Sequence, residues 1–362
     1  MTSDRIASAT SGGQRLHWID ALRGVAAVLV MFSHYVWTPL GTAEGRWHYI
    51  LSPGEFGVAA FFCVSGLVIP LSVRSLNGVR GSAAFIVNRI FRLYPIYWIS
   101  IGVSFFAIPF ALKYRLINFT MLQRFIGVPD IVPVFWTLQV ELVFYAAIIA
   151  IVGLKVNRVR IFFILFIAAI VGSLACGLIR DLFIIKAPTA LFTGLTLMFG
   201  VATLFENRRV RVMRESWIYT SFAAAVICLP TAWFLTYERN WGHGEVAGAS
   251  AILEIINYSL GIGTFIVLAK FARAVPGWLN YLGVISYPLY VIHEPVFDFL
   301  NSLHKLNYWY VVFISAALSL MLAAVMHLVV EEPLIKVGRS LAKSIKAGGR
   351  ASPSMVQTAA NP

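Results

Sequence analysis

Apolar runs long enough to cross a membrane recur along the whole chain. Each has roughly 18 residues or more and few charges, a length that a soluble core does not require. Only 12% of the 362 residues are charged, whereas soluble domains have about 25%. The runs predict an all-α, polytopic membrane bundle of about ten transmembrane helices, near residues 18–40, 55–74, 90–112, 134–153, 161–179, 188–205, 217–236, 251–270, 278–300 and 309–330.

The positive charge of the chain predicts its orientation. The net charge is +13, which in a soluble protein would suggest nucleic-acid binding. Here, however, 21 of the 29 Lys and Arg fall on the termini and alternate connections that share one side if the N-terminus is cytoplasmic. The positive-inside rule then predicts that both termini are cytoplasmic. Because topology explains the basic composition, we expect no nucleic-acid partner.

The remaining sequence predicts a simple domain organisation. Residues 1–17 form a cytoplasmic N-terminal segment without a cleavable signal peptide, residues 18–340 the transmembrane domain, and residues 341–362 a disordered cytoplasmic tail. No soluble domain is appended, so any chemistry is expected in or beside the membrane. Cys63, Cys176 and Cys228 all lie inside apolar runs, and we therefore expect neither a disulfide framework nor a metal site.

Two ionisable side chains share one face of the first apolar segment. Arg23 and His34 are eleven residues apart, or about three helical turns, which separates them by roughly 16 Å along the axis. This spacing suits a long polyanionic donor that binds at the cytoplasmic rim and whose reactive end reaches mid-membrane. The alternative is a charged flank plus a histidine bonded to a neighbouring helix. Asp20 is interpreted as the helix N-cap.

Two other segments carry polar residues with open interpretations. Arg89 and Arg92, spaced i, i+3 at the start of the third segment, can chelate phosphate oxygens or form an ordinary cytoplasmic flank. Glu141, between Trp136 and Tyr145 in the fourth segment, can orient a histidine, bind a hydroxylated acceptor or bond a neighbouring helix.

The ninth segment carries a polar stripe. Ser286, Tyr290 and His293 follow one another at i, i+4 and i+7 and can line one face of a helix. We interpret His293 as a packing or acceptor-side residue rather than the base. Pro288 and Pro295 are predicted to kink this helix.

Six short motifs occur in order along the apolar region. They are Arg23-x10-His34, Phe61-Phe62-Cys63-Val64-Ser65-Gly66, Arg89-x-x-Arg92, Trp136-Thr137-Leu138-x-x-Glu141-x-x-Phe144-Tyr145, Ser286-Tyr287-x-Leu289-Tyr290-x-x-His293 and Glu331-Glu332-Pro333. With a ten-helix topology, this order resembles the acyltransferase-3 family of bacterial membrane acyltransferases. The resemblance spans about residues 18 to 340.

The resemblance implies transfer of an acyl group, usually acetyl, from cytoplasmic acyl-CoA to a sugar hydroxyl at the bacterial inner membrane. Relatives modify lipopolysaccharide, exopolysaccharide, peptidoglycan, nodulation factors and macrolide sugars. By position, His34 is the implied catalytic residue, with Glu141 as its candidate partner. Arg23, Arg89 and Arg92 are implied on the CoA side, and the candidate substrate-binding residues are Ser65, Trp136, Tyr145, Ser286, Tyr290 and His293.

The chemistry of these residues agrees with that implication. A neutral imidazole suits removal of a hydroxyl proton near pH 7, and His34 can act as that base or accept the acyl group itself. The expected partners are acyl-CoA, a carbohydrate or glycolipid acceptor and membrane lipids. The rival interpretation is a proton-coupled transporter or flippase of a sugar-containing substrate, with His34 and Glu141 as a proton relay. The arginine cluster favours a phosphorylated donor instead.

The predicted orientation can be tested by cysteine labelling in intact cells. A cysteine at residue 45 should react with an impermeant reagent from outside, and one at residue 78 should not, because the 21-to-8 charge split holds only with cytoplasmic termini. The reverse labelling pattern would overturn the topology and the placement of the donor.

Overall fold

Helices make up the described part of the chain. The computed structural model describes residues 17–37, 51–107, 111–183, 185–237, 251–272, 275–303 and 307–348. Within these ranges the chain forms helices and no strand, and eight of the helices are long and apolar enough to cross a membrane. The predicted all-α polytopic bundle is therefore confirmed.

The described part of the chain contains thirteen α-helices. In chain order they are α1 (His17–Phe32), α2 (Pro53–Ser72), α3 (Gly78–Ala107), α4 (Leu112–Asn118), α5 (Trp136–Leu154), α6 (Arg158–Phe183), α7 (Thr189–Val210), α8 (Glu215–Tyr237), α9 (Ala251–Phe271), α10 (Gly277–Val284), α11 (Ser286–Ser302), α12 (Tyr308–Met326) and α13 (Glu332–Lys346). A π-helical turn, Ser33–Trp37, extends α1, and another, His327–Glu331, joins α12 to α13.

Nine of the ten predicted apolar segments each fall mainly on one long helix, and the segment 278–300 is divided between α10 and α11. Two segments, those on α3 and α11, are not among the eight apolar spans, although α3 has 30 residues and is about 45 Å long. Helix α11 has only 17 residues, because the chain breaks at Ile285, between α10 and α11. For these two segments, membrane spanning stays a prediction.

The ends of the chain differ in part from expectation. Residues 341–346, predicted to belong to a disordered tail, are helical, because α13 packs Gly338 against Phe91 of α3 and also buries Ala342. Residues 1–16 and 349–362 lie outside the described residues.

Large apolar side chains cover the outer faces of the peripheral helices. Val226 and Ile227 of α8 and Phe313 of α12 are 69–74% exposed. In water such surface costs about 25 cal/mol per Å², whereas lipid tails accept it without that cost. This surface is what a multi-pass membrane protein requires.

Helices α1 and α10 touch through their backbones. A Cβ added to Gly24 would lie 2.7 Å from the backbone nitrogen of Gly283, and one added to Gly283 would lie 1.9 Å from the carbonyl oxygen of Asp20. Only glycine permits this approach. Asp20 lies inside the first turn of α1, so its prediction as the N-cap is wrong.

Pro288 does not kink its helix as the sequence suggested. It lies in the first turn of α11, where backbone N–H groups have no intrahelical partner and proline is tolerated. Pro295 alone lies in the interior of α11.

The glycine crossing predicts a sharp difference between two substitutions. Gly283→Ala should lower stability by about 1–3 kcal/mol or more, because the new methyl group overlaps the backbone of α1. Gly263→Ala in α9 is the matched control, since nothing lies within 4 Å of its added Cβ. Thermal unfolding of both purified variants in detergent provides the comparison. Equal melting temperatures would contradict the proposed crossing.

Candidate active site

A cavity lies among helices α1, α2, α3, α5 and α11. Its empty volume, including its open mouth, is about 820 Å³, within the range of small-molecule sites. Most of the cavity lining is apolar, and polar side chains project into the cavity from each of the five helices. The lining residues are Arg23, Val58, Phe61, Phe62, Val64, Ser65, Val68, Ile69, Arg89, Arg92, Leu93, Thr137, Leu138, Glu141, Tyr145, Ser286, Tyr287 and Tyr290.

Three guanidinium groups line this cavity without a direct ion pair. They belong to Arg23, Arg89 and Arg92, and within the described residues none of them lies within ion-pair distance of a carboxylate. The guanidinium of Arg89 lies 5.3 Å from the ring centre of Phe85 and 5.7 Å from that of Tyr145, while its buried Nε has no hydrogen-bond partner. The cavity therefore holds more positive charge than the one carboxylate in its lining, Glu141, balances.

Two half-buried arginines outside the cavity, Arg74 and Arg158, have bonding partners. The Nε of Arg74 lies 2.8 Å from Oε1 of Glu206, and Arg158 donates hydrogen bonds to the carbonyl oxygens of Val73, at 2.8 Å, and Leu76. Burying an unpaired charge is costly. The three free cations of the cavity therefore indicate a site for an anionic ligand.

Glu141 belongs to this cavity rather than to the histidine. Its Oε1 accepts a hydrogen bond of 3.0 Å from Oγ of Ser65, so one carboxylate faces three guanidiniums. The predicted role of Glu141 as the partner that orients His34 is taken by a different residue, Glu294.

His34 and Glu294 form a hydrogen-bonded pair. Nδ1 of His34 lies 2.6 Å from Oε1 of Glu294, and the other carboxylate oxygen accepts from the backbone N–H of Val134 at 3.1 Å. An ionised carboxylate only accepts hydrogen bonds, so Nδ1 carries a proton, and in the neutral imidazole Nε2 is then the nitrogen with the lone pair. In catalytic triads, an aspartate sets the tautomer of its histidine in the same way.

The pairing follows from the register of α1 and α11. His34 comes ten residues after Gly24, and Glu294 eleven residues after Gly283. The two helices run parallel from the glycine crossing. Because each rises 1.5 Å per residue, they reach the same height at the His34–Glu294 bond. The predicted shared face of Arg23 and His34 is the face toward α11.

A second histidine adjoins this pair. The ring centres of His293 and His34 are 5.3 Å apart, and the buried Nε2 of His293 has no hydrogen-bond partner. Ligand atoms of His34, His293 and Glu294 lie within 4.8 Å of one another, and two imidazoles with one carboxylate are a set that zinc accepts. A metal bound here would have to displace the direct hydrogen bond between His34 and Glu294.

The structure gathers most of the residues selected from the sequence. Eight of the eleven line the cavity, while His34 and His293 lie beyond Tyr290 and Trp136 packs outside the lining, 6.0 Å from the ring centre of Phe62. Glu294 was missed. Its signal was present in the sequence, since it is a carboxylate in an apolar helix, the same feature that selected Glu141.

Comparison with known proteins shows the family of the chain. The family model described as an acyltransferase domain matches residues 16–328. Nodulation protein 10 of Rhizobium leguminosarum bv. viciae is 26% identical over 377 residues, which cover 91% of this chain and 96% of that protein. No solved structure shows a significant match. Since the family match extends over most of the chain and includes every residue of the cavity and of the histidine pair, the protein belongs to the acyltransferase-3 family of membrane acyltransferases.

Proposed function

We propose that this protein is an O-acyltransferase of the bacterial cytoplasmic membrane that transfers an acyl group, usually acetyl, from cytoplasmic acyl-CoA to a sugar hydroxyl. The acceptor belongs to a surface glycan, a lipid-linked saccharide or a glycosylated small molecule. The observation that carries the proposal is that Arg23, which shares a cavity with Arg89 and Arg92 of α3, lies on the same helix, α1, as the carboxylate-bound His34.

The arginine cavity supports a phosphorylated donor. Guanidinium groups bind phosphate through paired, charge-assisted hydrogen bonds, and CoA carries several phosphate charges at the end opposite its thioester. Arg23 and His34 are about 16 Å apart along α1. A donor held by its phosphates at Arg23, Arg89 and Arg92 therefore extends its acyl end toward His34.

The His34–Glu294 pair supports general-base catalysis. Nε2 of His34 takes the proton from the acceptor hydroxyl as that oxygen attacks the thioester carbonyl carbon. The C–S bond then breaks, and the imidazolium returns the proton to the CoA thiolate, so that the products are the ester and the free thiol. Glu294 stabilises the imidazolium through Nδ1. In the alternative route the acyl group is first carried on Nε2, which leaves the Glu294 bond in place.

A transporter is the weaker proposal. A proton relay through a paired histidine and carboxylate gives no reason for three unpaired arginines in one cavity. The family match is also to acyltransferases.

The histidine pair predicts the effect of two substitutions. His34→Ala should abolish transfer, and Glu294→Gln should reduce its rate by about 10²- to 10⁴-fold, because the base or its orientation is lost. The measurement is release of CoA thiol from acetyl-CoA by membranes of the native host. His327→Ala is the matched control, since His327 pairs with Glu331 at 2.8 Å but does not line the cavity; it should leave the rate unchanged. A wild-type rate from His34→Ala would exclude it as base or relay.

Replacing a cavity arginine with lysine is expected to lower the affinity for the donor although the charge is kept. Arg89→Lys and Arg92→Lys should each weaken acetyl-CoA binding by about 1–3 kcal/mol, or roughly 5- to 150-fold in Kd, since ammonium groups lack the guanidinium fork. Calorimetry on the purified proteins measures the affinity. Arg74→Lys is the control, because Arg74 pairs with Glu206 outside the cavity. Unchanged affinity in both cavity variants would return these arginines to a topological role.

A further inference from the structure

The cavity stops one layer of side chains short of the histidine. On α11, Ser286 and Tyr290 line the cavity, and Glu294 lies one turn beyond Tyr290. The ring centre of Tyr290 is 6.2 Å from that of His293, whose ring is 5.3 Å from that of His34. Tyr290 and the two lining residues that contact it, Phe61 and Thr137, bound the cavity on this side, and we call these three residues the wall.

Two members of the wall are fixed by hydrogen bonds. The hydroxyls of Tyr290 and Thr137 are 2.7 Å apart, and they lie 3.3 and 3.1 Å from the carbonyl oxygen of Val134, so one hydroxyl donates to the other and the second proton goes to the carbonyl. The N–H of Val134 donates to Glu294. Moving Tyr290 would therefore disturb the residue whose N–H holds the carboxylate of Glu294.

Phe61 is the member of the wall without a polar anchor. It is half-buried, and its ring meets that of Tyr290 edge to face, with centres 5.4 Å apart. Its contacts are apolar, so replacing it breaks no hydrogen bond. Its ring lines the cavity beside Tyr290.

We propose that Phe61 sets the length of the acyl group that the enzyme accepts. The inference rests on the proposed function, because it needs an acyl-CoA in the cavity. The arginines fix one end of the donor, and the wall limits how far the other end extends. A two-carbon acyl group fits against Phe61, whereas each further methylene collides with its ring. The preference for short acyl groups then comes from one side chain rather than from the phosphate contacts, which all acyl-CoA donors share.

The test compares the affinities of butyryl-CoA and acetyl-CoA for the purified full-length protein. The ratio of the two Kd values cancels the shared CoA contacts and reports on the acyl end alone. In the wild type, butyryl-CoA should bind more weakly, since a misfit methylene is discriminated by about 10- to 200-fold. Phe61→Ala should reduce the ratio by at least about tenfold. Phe61→Trp, which adds volume at the wall, should increase it, and this variant tests the proposal if Phe61→Ala does not fold.

Val68→Ala is the matched control. Val68 lines the same cavity from the same face of α2, but lies seven residues, or about two turns, from Phe61. It should leave the ratio unchanged. A wild-type ratio near one, an unchanged ratio in the Phe61 variants, or an equal shift in Val68→Ala would overturn the inference. Absence of binding of both acyl-CoA donors to the wild type would instead refute the proposed donor, so the two failures are distinguishable.

Discussion

The backbone contact between Gly24 and Gly283 determines where the rest of the site lies. Because no side chain separates α1 from α10 at this point, α11 begins beside α1 and runs parallel to it. Ten or eleven residues later, the same alignment brings His34 to Glu294. Arg23 in the cavity and the His34–Glu294 pair thus lie at two heights along one pair of helices. The distance between them is set by helical rise rather than by a loop.

Charge in this protein is divided between structural and functional roles. Arg74 and Glu206 neutralise each other at 2.8 Å, as the cost of buried charge requires. Both carboxylate oxygens of Glu294 are likewise bonded, one to His34 and one to the N–H of Val134. The cavity arginines have no such direct partner, which is why we propose that they bind an anionic ligand.

Much of the architecture could be predicted because it depends on local spacing. The apolar runs gave the helices, and helical periodicity placed Arg23 and His34 on one face. The partner of His34 could not be predicted in this way, because Glu294 is 260 residues distant. Glu141 and Glu294 are both carboxylates in apolar helices, and only tertiary packing assigns one to Ser65 and the other to the histidine. The helical ending at residues 341–346 also depends on a distant contact, that of α13 with α3.

The wall of Phe61, Thr137 and Tyr290 has a consequence for the membrane itself. A continuous polar passage from the arginine cavity past His34 would offer protons and anions a route across the bilayer. Each elementary charge that crosses dissipates about 2.3 kcal/mol per 100 mV of membrane potential. The edge-to-face packing of Phe61 on Tyr290 places an apolar layer across that route. If Phe61 meets an acyl group as we propose, the same side chain would also insulate the energised membrane, and a cell could keep many copies of the protein without discharging its own proton gradient.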